Sequence, residues 1–120
     1  MKHHKQLDVW KRSVTLAGEI YSLTRVFPPE EKYGLTSQMR RAGVSIASNI
    51  AEGAARQTKK EFIQFLHIAS GSASELDTQI EIAKLINIGK QEKLLGLQQD
   101  ISQISKMLKG LIRSLGKPQK

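Results

Sequence analysis

Leu94, Leu97, Ile101, Ile104, Leu108, Leu111 and Leu115 follow one another at spacings of 3, 4, 3, 4, 3 and 4 residues. That period, held over three heptads, lays one continuous apolar seam along an α-helix. It predicts small-angle, left-handed packing against partner helices. Leu95, Met107 and Ile112 flank the seam and widen it, which suits a bundle better than a two-stranded coil. Gly116 and Pro118 stop the segment, giving a helix over about 90–115 and a basic tail at 116–120.

Three further segments read the same way. Thr58-Lys59-Lys60-Glu61 has the capping-box pattern, in which the Thr58 hydroxyl takes the Glu61 N–H and the carboxylate reaches back. Phe62, Phe65 or Leu66, Ala69, Ala73, Leu76, Ile80 and Ala83 then form a stripe, with Gly89 as the expected C-cap of a helix over 58–88. A first helix is expected over 8–27, capped on Asp8. It carries one stripe of Trp10, Val14, Ala17, Tyr21 and Thr24 and a second of Leu16, Ile20, Leu23 and Phe27, which predicts burial on two sides. Pro28-Pro29 halts it. The second helix, over 34–55, lines Leu35, Met39, Ala42, Ile46, Ile50 and Gly53 along one side, with Val44 on another. Four helices of this length on short connections predict one all-α domain, 1–120, an antiparallel up-down-up-down four-helix bundle.

Composition narrows the chemistry. The absence of cysteine removes disulfides, thiolate metal sites and cysteine nucleophiles. No apolar run approaches the roughly 18 residues of a membrane span, and the basic start, Met1 to Lys5, leads into an amphipathic pattern rather than a secretory signal. A cytoplasmic protein with no membrane role is expected. The net charge is +8, concentrated in residues 1–12 and 90–120, with a further basic group of Arg56, Lys59 and Lys60. Such surfaces attract polyanions by counterion release.

Catalytic and metal motifs do not emerge. Gly71-Ser72 lacks the glycine-rich turn after a strand and the Gly-Lys-Ser ending of a phosphate loop. A di-metal carboxylate bundle needs Glu-x-x-His pairs on two helices. His67 is the only internal histidine, no Glu stands three residues before it, and His3 and His4 lie at the chain's start. No enzyme activity, cofactor or metal is therefore expected. Arg40, Arg41, Ser45, Ser48, Asn49 and Glu52 on the second segment, and Ser70, Gly71, Ser72, Ser74, Glu75 and Gln79 on the third, stand where a plain bundle carries Leu. Two readings are open. One is a polar network of Arg40, Arg41, Asn49, Glu52 and Glu75 that fixes helix register, with Arg40 or Arg41 pairing Glu75. The other is a ligand or anion site inside the bundle.

Phe27 to Gly53 contains Phe-Pro, Glu31-x-Tyr33-x-Leu35, Gln38-x-Arg40-Arg41-Ala42, Ser45-Ile46 and Asn49-Ile50-Ala51-Glu52-Gly53. Leu7-x-Val9-Trp10, Ile20-Tyr21 and Gly71-Ser72-x-x-Glu75-Leu76 add to the pattern. Over about 7–89 the chain resembles the four-helix bundle proteins also known as 23S rRNA intervening-sequence proteins. Ser70 and Ala47 stand where that family usually has Arg and commonly has Pro, and the loss of that Arg weakens an anion contact at position 70. The resemblance implies a bundle that assembles into a homopentameric ring. Some members are encoded inside inserts of the large ribosomal RNA gene. Related accessory proteins of diversity-generating retroelements are basic pentamers that bind nucleic acid and a reverse transcriptase.

Together these readings predict a non-catalytic oligomer that binds RNA or RNA–DNA hybrids through the backbone. Arg56, Lys59 and Lys60 form one group of phosphate contacts. Lys106, Lys109 and Arg113, spaced 3 and 4 apart on one helix face, form the other. The aromatics mostly fall on apolar stripes, so base stacking is expected to contribute little. The competing reading is a protein interaction scaffold that needs no nucleic acid.

Overall fold

The computed structural model describes residues 3–118 and holds four α-helices and no strand among them. These are α1 (Asp8–Thr24), α2 (Leu35–Ala54), α3 (Lys59–Leu85) and α4 (Gln91–Leu115), with single 3-10 turns at His4–Gln6 and Pro29–Glu31. Of the expected basic tail, residues 119 and 120 lie outside the described residues, as do Met1 and Lys2 at the other terminus. The helices form a rod of 53 × 21 × 19 Å. Each of α1 and α3 packs against both α2 and α4, and the α2–α3 contact is the most extensive.

One core runs the length of the rod and takes residues from every helix. From α4 it takes Leu94, Leu97, Ile101, Ile104 and Leu108, all buried. The seam loosens beyond that point: Leu111 and Leu115 are only partly buried, and flanking Leu95 is 53% exposed rather than part of the stripe. The expected α2 line is buried as read, from Leu35 to Gly53. In α3 the ambiguous position is resolved in favour of Leu66, which is fully buried while Phe65 is half-buried.

Helix α1 departs from expectation in three ways. Its second stripe of Leu16, Ile20, Leu23 and Phe27 is buried, but Val14 and Tyr21 of the first are exposed, so it is buried on one side. Its N-cap is Leu7 rather than Asp8, with no side-chain cap. It also ends at Thr24 rather than 27: the Phe27 N–H donates to Thr24 O at 3.0 Å in a turn, and the buried Phe27 ring leaves the helix to plug the end of the core.

The α3–α4 connection shows why sequence spacing misplaced a cap. Ile88 N–H donates to Ala83 O at 2.9 Å and Asn87 N–H to Lys84 O at 3.3 Å, the paired bonds of a Schellman motif. The left-handed residue is therefore Asn87, at φ 60°, and α3 stops at Leu85. Gly89 is needed two residues later, at φ 84°, where a Cβ would also lie 3.3 Å from the Phe27 ring. At the other end of α3, Thr58 caps as expected, accepting from Glu61 N–H at 3.1 Å. The Glu61 carboxylate accepts from the Thr58 hydroxyl at 2.9 Å.

Gly53 sets the α2–α3 spacing. A Cβ there would lie 2.7 Å from Phe65 Cβ and 2.9 Å from the Phe62 ring, so only glycine allows this approach. At mid-length, Ser45 Oγ and Ser72 Oγ meet at 2.9 Å. Gly53 and the Ser45–Ser72 pair thus bring α2 and α3 close, whereas Gly71 has nothing within 4 Å of an added Cβ.

Candidate nucleic-acid interface

Cross-helix contacts fix which charged residues share a region of the rod. Ser45 meets Ser72, Gly43 faces Ala17 and Ile20, and Leu16 and Ile104 line one groove between α1 and α4. Those positions mark the waist. On one side lie residues 3–16, 46–72 and 103–118; on the other lie 17–45 and 73–102. Leu23 and Leu97 line a groove on the second side, and Gly53 meets Phe62 and Phe65 on the first.

The charge divides sharply across this waist. The first half holds Lys5, Lys11, Arg12, Arg56, Lys59, Lys60, Lys106, Lys109, Arg113 and Lys117, ten basic groups, against Asp8, Glu52 and Glu61. The second holds seven basic and eight acidic groups. All the net positive charge of the described residues therefore sits in one half. The two groups expected from sequence fall in the same half, and their lysines and arginines are exposed. Lys5, Lys11, Arg12 and Lys117 lie in the same half and were not singled out from the sequence. The excess charge of residues 1–12 and 90–120 was their signal.

Local electrostatics distinguish these groups. Lys59 and Lys60 occupy the first turn of α3, where the helix dipole disfavours cations, and Glu61 is the only acid there. Arg113 lies in the last turn of α4, where the dipole favours it. Arg56 is partly committed: it reaches the Glu52 carboxylate at 3.6 Å and lies 4.8 Å over the Phe65 ring. The lysines carry no such ties, since the ion pairs among the described residues are Arg56–Glu52 and Lys84–Glu81.

The residues read as a register network are distributed differently. Arg40 turns to α1, donating through Nε to Thr24 Oγ1 at 2.9 Å and lying 4.5 Å over the Tyr21 ring. Arg41 and Glu75 are exposed, and neither Arg40 nor Arg41 pairs with Glu75. Asn49 donates to Ser45 O at 2.8 Å and to Ser45 Oγ at 2.9 Å, tying itself to the Ser45–Ser72 contact, while Glu52 serves Arg56. Gln79 is 4% exposed, and its Oε1 finds no donor in the described chain.

A second polar cluster, not foreseen, joins α3 to α4. Gln98 Nε2 donates to Asp77 Oδ1 at 3.1 Å and to Glu81 Oε2, and Lys84 Nζ donates to Gln98 Oε1 at 3.3 Å. The bond from Gln98, then the bond and charge of Lys84, hold the Glu81 carboxyl below the usual carboxylate range. Between α1 and α4, burial and then the neighbouring Asp100 push Glu19 up.

His67 is exposed, and no group of three His, Asp or Glu among the described residues is placed to hold a metal. Among the described residues, no helix is long and apolar enough to cross a membrane. The aromatics also correct the sequence reading: Tyr33 is 86% exposed and Tyr21 41%, so neither is spent on the core.

Over residues 5–110 the chain matches the family model described as 23S rRNA-intervening sequence protein. It is similar to the crystal structure of a protein of unknown function from the S23 ribosomal protein family of Bacteroides thetaiotaomicron VPI-5482. That likeness has a TM-score of 0.79 at 26% identity, over 88% of this chain and 95% of the other. No curated protein matches the chain.

Proposed function

The chain belongs to the 23S rRNA-intervening sequence protein family, and within that family we propose that it is a non-catalytic, oligomeric nucleic-acid-binding module. Its ligand is RNA or an RNA–DNA hybrid, held through the backbone with weak sequence preference. The observation that carries this reading is the concentration of ten basic groups against three acidic ones in one half of the rod. Lys59, Lys60, Lys106, Lys109 and Arg113 are its phosphate contacts, with Arg56 shared between Glu52 and ligand. Two lysines held at the positive end of a helix are locally unfavourable, and a bound phosphate would reverse that.

Three finer points belong to the same reading. The helices run antiparallel, up-down-up-down, supported by the opposed numbering of Leu16 with Ile104 and Leu23 with Leu97. The chain assembles into a homopentameric ring, as the resemblance implies, and works in the cytoplasm. A reverse transcriptase is a partner to test, by the same resemblance.

Fluorescence anisotropy with a labelled RNA and an RNA–DNA hybrid tests the ligand. For about six phosphate contacts, affinity falls on the order of a thousandfold between 50 and 200 mM salt. Neutralising Lys59, Lys60 or Lys109 singly lowers the salt slope by about 1 each. No binding at about 50 mM salt overturns the proposal. Sedimentation mass tests the ring against the 13.4 kDa single chain.

One observation favours the scaffold as a second reading. Ile68 and Ile82 on α3 and Ile86 at its C-cap are 43–51% exposed. Exposed isoleucines of this kind are suited to a protein partner. If charge reversal at Lys106, Lys109 and Arg113 abolishes protein capture and leaves nucleic acid untouched, the scaffold reading replaces the first.

A further inference from the structure

The α1–α2 connection carries a groove in the charge-balanced half, beyond the waist from the basic end. Tyr21, Lys32, Tyr33, Ser37, Arg40 and Arg41 are among its lining residues, and no carboxylate lines it. The nearest sequence acid is already used: Glu31 Oε1 accepts from Leu35 N–H at 3.1 Å and so caps α2. Three cations thus face the groove unopposed.

Its aromatic component is equally specific. Tyr33 is 86% exposed, and the ammonium of Lys32 lies 5.4 Å from its ring centroid, leaving most of the ring open. Arg40 is fixed in place by Thr24 and the Tyr21 ring, while exposed Arg41 is free of any carboxylate partner. An open ring beside a fixed guanidinium and two free cations meets both needs of an unpaired nucleotide. The base stacks on the aromatic face and the phosphate lies among the cations.

We propose that this groove is a binding site for an unstacked nucleotide of a single strand, its base on Tyr33 and its phosphate between Lys32 and Arg41. The site rests on the nucleic-acid reading above and adds selectivity to it. The basic end holds any phosphate backbone, whereas the groove takes only a strand whose bases are free. A base in a duplex is stacked and paired, so it cannot reach the Tyr33 ring.

The test is anisotropy with a labelled ten-nucleotide oligouridine and a labelled RNA duplex, using the full chain, Tyr33→Ala, Tyr33→Phe and Arg41→Ala. Tyr33→Ala is expected to weaken the single strand at least about 5-fold and leave the duplex within about twofold. Tyr33→Phe keeps the ring and is expected to bind as the unaltered chain does. Arg41→Ala is expected to weaken the single strand and reduce its salt slope by about 1. Circular dichroism checks that each variant is folded, which the exposure of both positions favours.

If the unaltered chain binds both ligands and Tyr33→Ala is silent, or weakens both equally, the groove assignment fails while the basic end stands. If the unaltered chain binds neither, the nucleic-acid reading fails and takes the groove with it. An acidic peptide that outcompetes oligouridine in a Tyr33-dependent manner overturns the assignment in favour of a protein ligand.

Discussion

Arg40 Nε donates to Thr24 Oγ1 at 2.9 Å, and the same hydroxyl donates its own proton to Ile20 O at 2.7 Å. The hydroxyl has one proton, so the helix carbonyl takes it and leaves the oxygen as an acceptor for the guanidinium. The last turn of α1 thereby fastens α2, and the Arg40 guanidinium lies 4.5 Å over the Tyr21 ring.

Thr24→Val keeps the shape and deletes both bonds, and is expected to cost about 1–2 kcal/mol in urea unfolding. Arg40→Met is expected to cost about as much, through the lost bond and the lost cation–ring contact. The two changes remove one interaction, so the double variant should cost less than the sum, by about 0.5–1 kcal/mol. Strict additivity would show that the contact contributes nothing.

Glycine substitutions should change sign with position. In a helix, Gly→Ala is worth about 0.5–1 kcal/mol of stability where there is room. At Gly18 nothing lies within 4 Å of the added Cβ, so Gly18→Ala is expected to stabilise by that amount. At Gly53 the Cβ meets Phe65 and Phe62 below 3.0 Å, and Gly53→Ala is expected to destabilise by about 1–3 kcal/mol as α2 and α3 are forced apart. Chemical denaturation of both variants reads the contrast directly, and equal stabilisation at both sites would contradict the close approach.

Much of this architecture was legible because apolar periodicity and helix packing obey the same geometry. The buried lines of α2 and α4 were readable from Leu, Ile and Met spacing alone. Loops were less legible: Asn87 and Gly89 both take positive φ, and spacing cannot say which one terminates the helix. Charged pairs were least legible, because a sequence does not show which helix a long side chain turns toward. Arg40 went to α1 instead of Glu75, and the network expected between α2 and α3 has its strongest counterpart at Asp77, Glu81, Lys84 and Gln98. The basic end was half legible. Its lysines were visible, but which of them share a half depends on how the helices pack.

Gln79 carries a buried Oε1 without a donor in the described chain. A buried acceptor left unpaired costs about 1–3 kcal/mol, whereas an apolar side chain of similar length does not. Gln79→Met is therefore expected to raise the stability of the isolated chain by about 1 kcal/mol. Thermal unfolding at low protein concentration measures it. Loss of stability that grows with protein concentration would instead assign the donor to a second copy of the chain.

The α1–α4 groove gives a pH dependence of defined sign. Burial and Asp100 raise the Glu19 carboxyl, so the folded chain binds its proton more tightly than the unfolded chain. Its contribution is fully present below the usual carboxylate pKa and is lost as pH rises through the raised folded value. Glu81, held low by Gln98 and Lys84, runs the other way, stabilising above the usual carboxylate range and fading on acidification. Glu19→Gln removes the first slope and leaves the second. Near neutral pH it is expected to stabilise by about 0.2–0.5 kcal/mol, the scale of a solvent-screened pair. At about pH 3, where the carboxyl is protonated in both states, it is expected to change nothing. Urea midpoints for the two chains between those limits should therefore converge on acidification, and a gap independent of pH would place the effect outside the Glu19–Asp100 pair.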